Sequence, residues 1–369
     1  MLNEHQIENN IKWLIKNSSV PVKYLTHKYL LRNDSSSKSM NELFVEVKKC
    51  EIANEIFSTQ KNDGSWCAGG SWSLPPSLRK SGYTPVSPKY VTTSWILPIL
   101  GDMGFTIEDN RIKKACEYIL SYQMKNGFIA ESLSEKYDIE PNELPVEPCR
   151  FSIILIGLGK VCAGNDTRIK NAYNLLLKWQ RNDGGWASNS HLNQKNWTRS
   201  CSCASYNAAM SLYSSNNKLF KKPLTKALEF LVWHLSTKKD EDIRRFYFHG
   251  HSIVHELLMF SEYNIGLKNK SIQAIIEWIM SMYKPEENYF KYSGKSISKY
   301  SFKNDYMDAR VAKYRLFHLI EDDWLTYYAT RIMRNLLKQE KATADNSGLY
   351  LEPAARRFAS SAAGSGGRV

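Results

Sequence analysis

One short motif recurs along the chain and constrains its fold more than any other feature. The motif has the form Q-x-x-x-G-x-W and occurs at residues 60–66, 123–128 and 180–186, with one residue fewer in the second copy. A helical pattern precedes each Gln, is clearest at residues 114–123, and recurs without the Gln at 226–235 and 273–283. Five repeats thus share one register, at residues 60, 123, 180, 235 and 283. Such internal periodicity predicts one repeat-built domain.

The residues of each motif are those expected at the end of a helix. Its aromatic, aliphatic and Gln positions fall on successive turns of one helix face. The Asn-Asp-Gly sequence that follows tolerates the left-handed backbone that stops a helix. We expect the returning Trp to pack over the Gln end of its own helix, so that each repeat is a helical hairpin.

Apolar helices alternate with amphipathic, Lys-rich ones. The apolar segments are residues 90–101, 149–161, 203–213 and 252–260, and segments 18–31 and 322–338 complete the set. Helices that are apolar on all sides belong in an interior, while amphipathic helices belong outside. The chain is therefore predicted to be all-α, an α/α-toroid with an inner and an outer ring built from about five to six helical hairpins. Pro98 is expected to kink its helix.

An open solenoid of the same hairpins is the rival architecture. Repeats of 48 to 63 residues are long for TPR or HEAT proteins, and the motif is not theirs, so the toroid is preferred. Residues 1–340 are expected to form this single domain. Residues 341–369 are rich in small residues without an apolar period, and are read as a disordered tail or an artificial extension.

Composition and charge limit the function classes. The chain has no apolar run of membrane-spanning length and no secretory signal pattern, which favours a soluble cytoplasmic protein. Its seven cysteines favour reduced thiols or a metal site over disulfide bridges. The net charge of +13 fits phosphate-bearing ligands, anionic membrane surfaces or nucleic acid, and equally a solvated Lys-rich surface. We expect no nucleic-acid partner, while peripheral membrane contact remains compatible.

At its repeated motif the sequence resembles the QW-motif proteins, which include squalene and oxidosqualene cyclases and the β subunits of protein prenyltransferases. The resemblance spans roughly residues 10 to 340 and implies the toroid fold. It also implies a central cavity for an isoprenoid or other apolar substrate. Aromatic residues on inner segments would line that cavity, or else simply pack in the core: Tyr90, Trp95, Phe151, Tyr206 and Phe248.

The acidic motifs of terpene cyclases are missing. Squalene-type cyclases protonate an alkene from a D-x-D-D motif, and magnesium-dependent ionisation uses D-D-x-x-D; neither occurs here. A cyclase of this sequence would need another acid, for which the candidates are Asp305, Asp308 and Glu256.

The comparison with prenyltransferase β subunits implies a zinc site at the starts of inner helices. In that family a D-x-C pair and a His bind the metal. The matching residues here are Cys201, Cys203 and either His249 or His251, with Cys149 as a further candidate ligand. Cysteine replaces the family's Asp, and the Cys-to-His gap is shorter. Thiolate and imidazole suit tetrahedral zinc, but ordinary buried cysteines would give the same sequence pattern.

Several basic residues lie near the same helix starts. The resemblance to prenyltransferases implies that they hold a diphosphate; the alternative is that they are ordinary surface charges. The residues are Arg150, Lys195, Arg199, Arg244 and Arg245. The first functional hypothesis is therefore an isoprenoid-handling toroid that binds a prenyl diphosphate or a similar long apolar substrate in its central cavity, with or without zinc. A true protein prenyltransferase would also need a helical-repeat partner subunit. The second is a terpene cyclase with a non-standard acid. The third is a non-catalytic toroid that binds a peptide, a lipid or a partner protein.

Overall fold

The computed structural model describes residues 2–67, 72–73, 87–88, 92–130, 148–162, 166–187, 199–239, 247–248, 251–292 and 322–359. Of residues 72–73, 87–88, 247–248, 251 and 343–359 it describes the backbone alone. Helices dominate the described residues, and the strands are two-residue pairs, so the predicted all-α class is confirmed. None of the described helices combines the length and the apolar character needed to cross a bilayer.

The helices follow one another in a regular order. They are α1 (Glu4–Asn17), α2 (Val20–Leu25), α3 (Lys38–Lys49), α4 (Glu51–Ser58), α5 (Thr93–Asp102), α6 (Asn110–Ser121), α7 (Pro148–Val161), α8 (Thr167–Lys178), α9 (Ser202–Ser214), α10 (Lys221–Ser236), α11 (Ile253–Tyr263), α12 (Lys270–Met280) and α13 (Asp322–Ala359). A π-helical segment, Thr26–Leu30, extends α2, and a 3₁₀ turn, Lys218–Phe220, precedes α10. Three antiparallel pairs join β1 (Trp72–Ser73) to β2 (Ser87–Pro88), β3 (Tyr247–Phe248) to β4 (His251–Ser252), and β5 (Tyr283–Lys284) to β6 (Tyr289–Phe290).

The two predicted kinds of helix are both present. The apolar helices α5, α7, α9 and α11 are buried on nearly every side, as residues 151–158 of α7 illustrate. The helices that alternate with them, α6, α8, α10 and α12, bury one face each. We call the first group, together with α2 and α13, the inner helices, and the second group, together with α4, which also buries one face, the outer helices.

The Gln of each full motif joins its own turn to the next outer helix. In all three copies the side-chain Nε2 donates to the carbonyl oxygen of the motif Gly and to a carbonyl in the first turn of that helix. These bonds run from Gln60 to Gly64 (2.9 Å) and Arg111 (2.9 Å), from Gln123 to Gly127 (3.1 Å) and Arg168 (2.7 Å), and from Gln180 to Gly184 (2.9 Å) and Pro223 (2.8 Å). The motif therefore fixes the contact between successive repeats.

The motif glycine is required at this turn for two reasons. Gly184 has φ of +88°, a left-handed backbone that side chains rarely adopt. A Cβ at this position would also lie 2.3 Å from the carbonyl oxygen of Lys226 in α10. Gly64 and Gly127 share both features, against α6 and α8 respectively.

The returning aromatic residue contacts its own outer helix and the next inner helix. The indole Nε1 donates to a carbonyl four residues before the Gln, from Trp66 to Ile56 (2.7 Å) and from Trp186 to Leu176 (2.8 Å). The predicted packing of Trp on its own helix is thus confirmed. The backbone N–H donates to a hydroxyl of the next inner helix, from Trp66 to Thr93 (3.0 Å), from Trp186 to Ser205 (2.9 Å) and, in the fifth repeat, from Phe290 to Thr326 (2.9 Å).

The inner helices lie beside one another in chain order. α5 packs on α7, α7 on α9, α11 on α13, and α13 on α2. Between α9 and α11, the Tyr206 hydroxyl lies 3.3 Å from Nδ1 of His255. Gly104, just after α5, touches α2 so closely that a Cβ there would lie 2.4 Å from Cε1 of Tyr24.

The first helix contacts the last repeat. Trp13 of α1 stacks on Tyr289, with ring centroids 4.8 Å apart. Asn10 is fully buried and lies 3.3 Å from the Thr330 hydroxyl of α13. With its amide turned over, which its neighbours favour, the nitrogen instead donates to the Tyr283 hydroxyl at 3.2 Å and the oxygen takes the side that faces Thr330. Residues at the two ends of the sequence therefore meet in the fold.

Two helices extend over positions that the sequence marked as boundaries. α5 runs from Thr93 to Asp102 through Pro98, whose ring packs against Gly157 of α7. α13 runs from Asp322 to Ala359 and so spans residue 340, and the bounds of the domain stay a prediction.

Candidate functional site

A cavity of about 370 Å³ lies where the inner helices converge. We call it the aromatic cavity, and it is lined by Leu25, Tyr29, Gly101, Asp102, Lys160, Met210, Tyr213, Ser214, Asn216, His255, Leu258, Glu262, Tyr327, Tyr328 and Arg331. These residues come from the α2 segment, α5, α7, α9, the turn after it, α11 and α13. On α5, α7 and α9, the lining residues lie in the C-terminal half of each helix. The aromatic cavity is therefore displaced from the starts of α7 and α9, where Cys149, Arg150, Cys201 and Cys203 lie.

Two ion pairs line this cavity. Asp102 of α5 pairs with Lys160 of α7, and their side chains are 9% and 13% exposed. Glu262 of α11 pairs with Arg331 of α13 and also accepts a hydrogen bond from the Tyr213 hydroxyl at 2.7 Å. Each pair joins two different inner helices, so the charges cancel within the cavity while tying its walls together.

Arg331 is surrounded by aromatic rings. Its guanidinium lies 4.9 Å from the ring centroid of Tyr29 and donates to the Tyr327 hydroxyl at 3.2 Å. Burial disfavours the charged form, but Tyr327, Tyr213 and Glu262 hold the pKa of Arg331 above its ordinary value. Burial raises the pKa values of Tyr213 and Tyr327 as well. At neutral pH the site thus presents a charged guanidinium beside neutral phenols.

A buried histidine borders the same cavity. His255 is 6% exposed, lies against the Tyr206 hydroxyl, and packs edge-on to Tyr328 at 5.0 Å between ring centroids. The next residue, Glu256, is one of the predicted candidate acids. Its side chain is fully buried in α11 and does not line the aromatic cavity.

Two of the predicted metal ligands lie together at the starts of α7 and α9. The sulfur atoms of Cys149 and Cys203 are 3.7 Å apart, and Nδ2 of Asn207 lies 3.2 Å from the Cys149 sulfur. The hydrogen bond with Cys149 and burial raise the pKa of Cys203 well above its ordinary value. None of the seven cysteines forms a disulfide bond. Within the described part of the chain, no three His, Cys, Asp or Glu side chains are grouped to bind a metal.

The spacing of the two thiols can be compared with that of zinc ligands. Two thiolates on one tetrahedral zinc, each about 2.3 Å from the metal, lie about 3.8 Å apart. The Cys149–Cys203 distance fits this value. Cys201 lies at the cap of α9, close enough to influence the Cys203 thiol, and β4, which carries His251, contacts α9. Cys149 and Cys203 therefore have the spacing of two ligands of one zinc ion, and the other two ligands would come from Cys201 and a histidine.

The predicted substrate-binding residues that the structure describes do not meet in one place. Trp95, Phe151 and Tyr206 are buried, and none of them lines the aromatic cavity. Phe151 instead packs between Phe128 and Trp179, at 5.4 Å from each ring. These contacts agree with the alternative of plain core packing.

The two described arginines of the predicted diphosphate site also lie away from the aromatic cavity. Arg199 is exposed and covers the ring of Trp233 in the outer helix α10 at 4.5 Å, and Arg150 is half-buried in the first turn of α7. Other predicted residues fall outside the described ones: Asp305, Asp308, Lys195, Arg244, Arg245, Tyr90 and His249. For Phe248 and His251 only the backbone is described.

The sequence reasoning missed the residues that line the aromatic cavity and the cations that lie beside it. Arg331, Arg334 and Lys338 are spaced three and four residues apart on a helix that was expected to be internal. A row of cations on an internal helix is unusual, because burying a charge is costly unless it has a partner. That conflict was the signal in the sequence for a site at this end of the inner helices.

Comparisons with known proteins do not assign the chain to a family. No protein-family model and no curated protein matches it. Among solved structures, the crystal structure of a protein from Actinoplanes is similar, with 11% identity and a TM-score of 0.39, over 90% of this chain and 98% of that one. A likeness at that TM-score carries no argument about fold or function.

Proposed function

We propose that the chain is an α/α-toroid that binds the apolar chain of an isoprenoid, or of a similar long substrate, in the aromatic cavity. The proposal rests on one observation: all of the inner helices contribute residues to the lining of one cavity. In a ring of helical hairpins such a cavity is central, whereas in an open solenoid the first and last inner helices would be far apart.

Contacts between the ends of the chain support the ring. α13 packs on both α1 and α2, Trp13 stacks on Tyr289, and Gly104 lies against Tyr24. With the contacts of α5 to α7, α7 to α9 and α11 to α13, every described inner helix has an inner neighbour on two sides.

The lining of the cavity supports an apolar, unsaturated ligand. Leu25, Met210 and Leu258 offer aliphatic surface, and four tyrosine rings face the same space. Aromatic faces attract polarised or positively charged carbon, which suits isoprenoid chemistry. The volume lies within the roughly 300–1,000 Å³ usual for small-molecule sites.

Ligand binding to a cavity-blocking variant tests this proposal. Met210 lies on α9 against the cavity, so Met210→Trp should fill part of it, whereas Leu219→Trp adds the same ring at a site that is 83% exposed. Calorimetry should show farnesol binding to the wild type and to Leu219→Trp, and at least tenfold weaker binding to a folded Met210→Trp. Equal binding by all three, or none by any, would reject the isoprenoid cavity and favour the non-catalytic toroid.

We also propose zinc at Cys149, Cys203, Cys201 and one of His249 and His251. The support is the 3.7 Å spacing of the Cys149 and Cys203 sulfur atoms. With all four of these ligands the tetrahedral site would be closed and structural, whereas without Cys149 its fourth position would hold a substrate thiol as thiolate at neutral pH. The raised pKa of Cys203 means that zinc would have to displace a proton there. Elemental analysis should find one zinc per chain in the wild type and in Cys116→Ala but none in Cys203→Ala; no metal in the wild type would end the zinc hypothesis.

A terpene cyclase is the second candidate, favoured by the four tyrosines that line the aromatic cavity. Glu256, which is buried on α11 and does not line that cavity, is the candidate acid to test among the described residues. Incubation with farnesyl diphosphate and squalene distinguishes it from a binding protein. A cyclic product that disappears in Glu256→Gln would support this candidate, and unchanged product in that variant would remove Glu256 as the acid.

A further inference from the structure

A second cavity, of about 560 Å³, lies beside the aromatic cavity and is strongly basic. We call it the basic pocket. It is lined by Lys28, Tyr29, Leu30, Arg32, Ser261, Glu262, Arg331, Arg334, Asn335, Lys338 and Gln339. Five of these side chains are cationic and one is a carboxylate, which leaves a net charge of +4 at neutral pH.

The fold brings these cations together from opposite ends of the chain. Arg331, Arg334 and Lys338 lie on one face of α13, because they are spaced three and four residues apart. Lys28 belongs to the π-helical segment and Arg32 follows it. Arg334 donates to the carbonyl of Leu30, which holds α13 against this segment.

Several features of the basic pocket are unfavourable without an anion. Its carboxylate, Glu262, already pairs with Arg331. Burial and the charge of Arg32 lower the pKa of Arg334, and burial together with Arg334 and Arg32 lowers that of Lys338. Arg32 also has φ of +58°, a backbone conformation that costs a non-glycine residue free energy. Like charges are thus held together at a cost that a bound anion would offset.

The two cavities are adjacent. Tyr29, Glu262 and Arg331 line both of them. An apolar chain in the aromatic cavity would therefore end beside Arg331, at the entrance to the basic pocket. Phosphate oxygens are strong acceptors, and arginine and lysine are the side chains that bind them best.

We propose that the basic pocket binds the phosphate or diphosphate head group of the ligand whose chain occupies the aromatic cavity. The proposal rests on the proposed function and adds the chemical class of the head group and its place. It moves the head group from the predicted arginines at the inner-helix starts to Lys28, Arg32, Arg334 and Lys338. Arg331, paired with Glu262, lies between head group and chain.

The test uses a double variant that removes charge without removing a described hydrogen bond. Arg32 and Lys338 are both exposed, and glycine suits the backbone of residue 32 better than arginine does. Arg32→Gly/Lys338→Gln should therefore melt no lower than the wild type. The matched control, Lys221→Gln/Lys222→Gln, removes two exposed cations from the outer helix α10.

Calorimetry then separates the binding of the head group from the binding of the chain. The ligands are farnesyl diphosphate, farnesol and inorganic diphosphate, at 0.15 M salt, about the physiological ionic strength. Farnesyl diphosphate should bind the wild type and the control equally, and bind Arg32→Gly/Lys338→Gln at least tenfold more weakly. Farnesol should bind all three alike. Inorganic diphosphate should follow farnesyl diphosphate.

The two proposals fail in different ways. If farnesyl diphosphate binds the double variant as tightly as the wild type, or binds neither, the basic pocket is not the head-group site. If inorganic diphosphate binding depends on the basic pocket but farnesol binds no variant, the anion site stands and the isoprenoid cavity is rejected.

Discussion

Gln180→Met removes two hydrogen bonds between repeats while nearly preserving the length of the side chain. Nε2 of Gln180 donates to Gly184 at 2.9 Å and to Pro223 at 2.8 Å, and the turn is partly buried. A neutral hydrogen bond contributes about 0.5–1.5 kcal/mol, and a carbonyl left without its donor adds to the loss. We therefore expect the free energy of unfolding to fall by about 2–3 kcal/mol.

Urea denaturation followed by circular dichroism measures this loss. The midpoint should fall while the slope stays constant, because the surface exposed on unfolding does not change. Gln273→Met is the matched control, since Gln273 is exposed and its side chain donates to the carbonyl of Leu267, in the connection just before its own helix, rather than to another repeat. Gln60→Met should cost as much as Gln180→Met, and the two losses should add because the side chains share no partner. If Gln180→Met costs no more than the control, the motif Gln does not hold the repeats together.

Individual contacts give three further predictions. Gly184→Ala should cost more than about 3 kcal/mol, because of its positive φ and the nearby Lys226 carbonyl, and an unchanged melting temperature would contradict this close approach. The hydrogen bond with Arg168 lowers the pKa of Asp166, so the stability that this carboxylate contributes is present above its unfolded pKa of about 3.9 and is lost as the pH falls further. Urea midpoints of wild type and Asp166→Asn should therefore differ at pH 6, and the difference should shrink as the pH falls below about 3.9. A difference that does not shrink there would be inconsistent with the pairing. Cys203 should react with iodoacetamide at least tenfold more slowly than the exposed Cys67 at neutral pH, measured by mass spectrometry of the digested protein, and equal rates would refute its burial as a protonated thiol.

The helices were predictable because their information is local. Apolar runs and turn residues located α7 and α9 to within one residue at each end, against predicted segments 149–161 and 203–213. The role of the motif Gln was only half predictable. Its helix-ending position follows from spacing, but its second acceptor lies in the next repeat, so it depends on how two helices pack.

The site was less predictable because it depends on contacts between distant parts of the chain. Cys149 and Cys203 do meet, as expected for residues at neighbouring helix starts. The described cavities lie elsewhere, and the cations of the basic pocket come from residues 28–32 and 331–338. No local pattern joins segments about 300 residues apart, and they become neighbours only because α13 packs on α2.

The most direct test of the central claim is to map where an isoprenoid binds. A farnesyl chain carrying a diazirine group, photolysed in complex with the protein, should label residues of the inner helices that face the aromatic cavity, such as Met210, Leu258 and Tyr328. Excess farnesol should prevent this labelling. Labels confined to outer helices such as α6 and α10, or labelling that excess farnesol does not reduce, would contradict a central isoprenoid cavity.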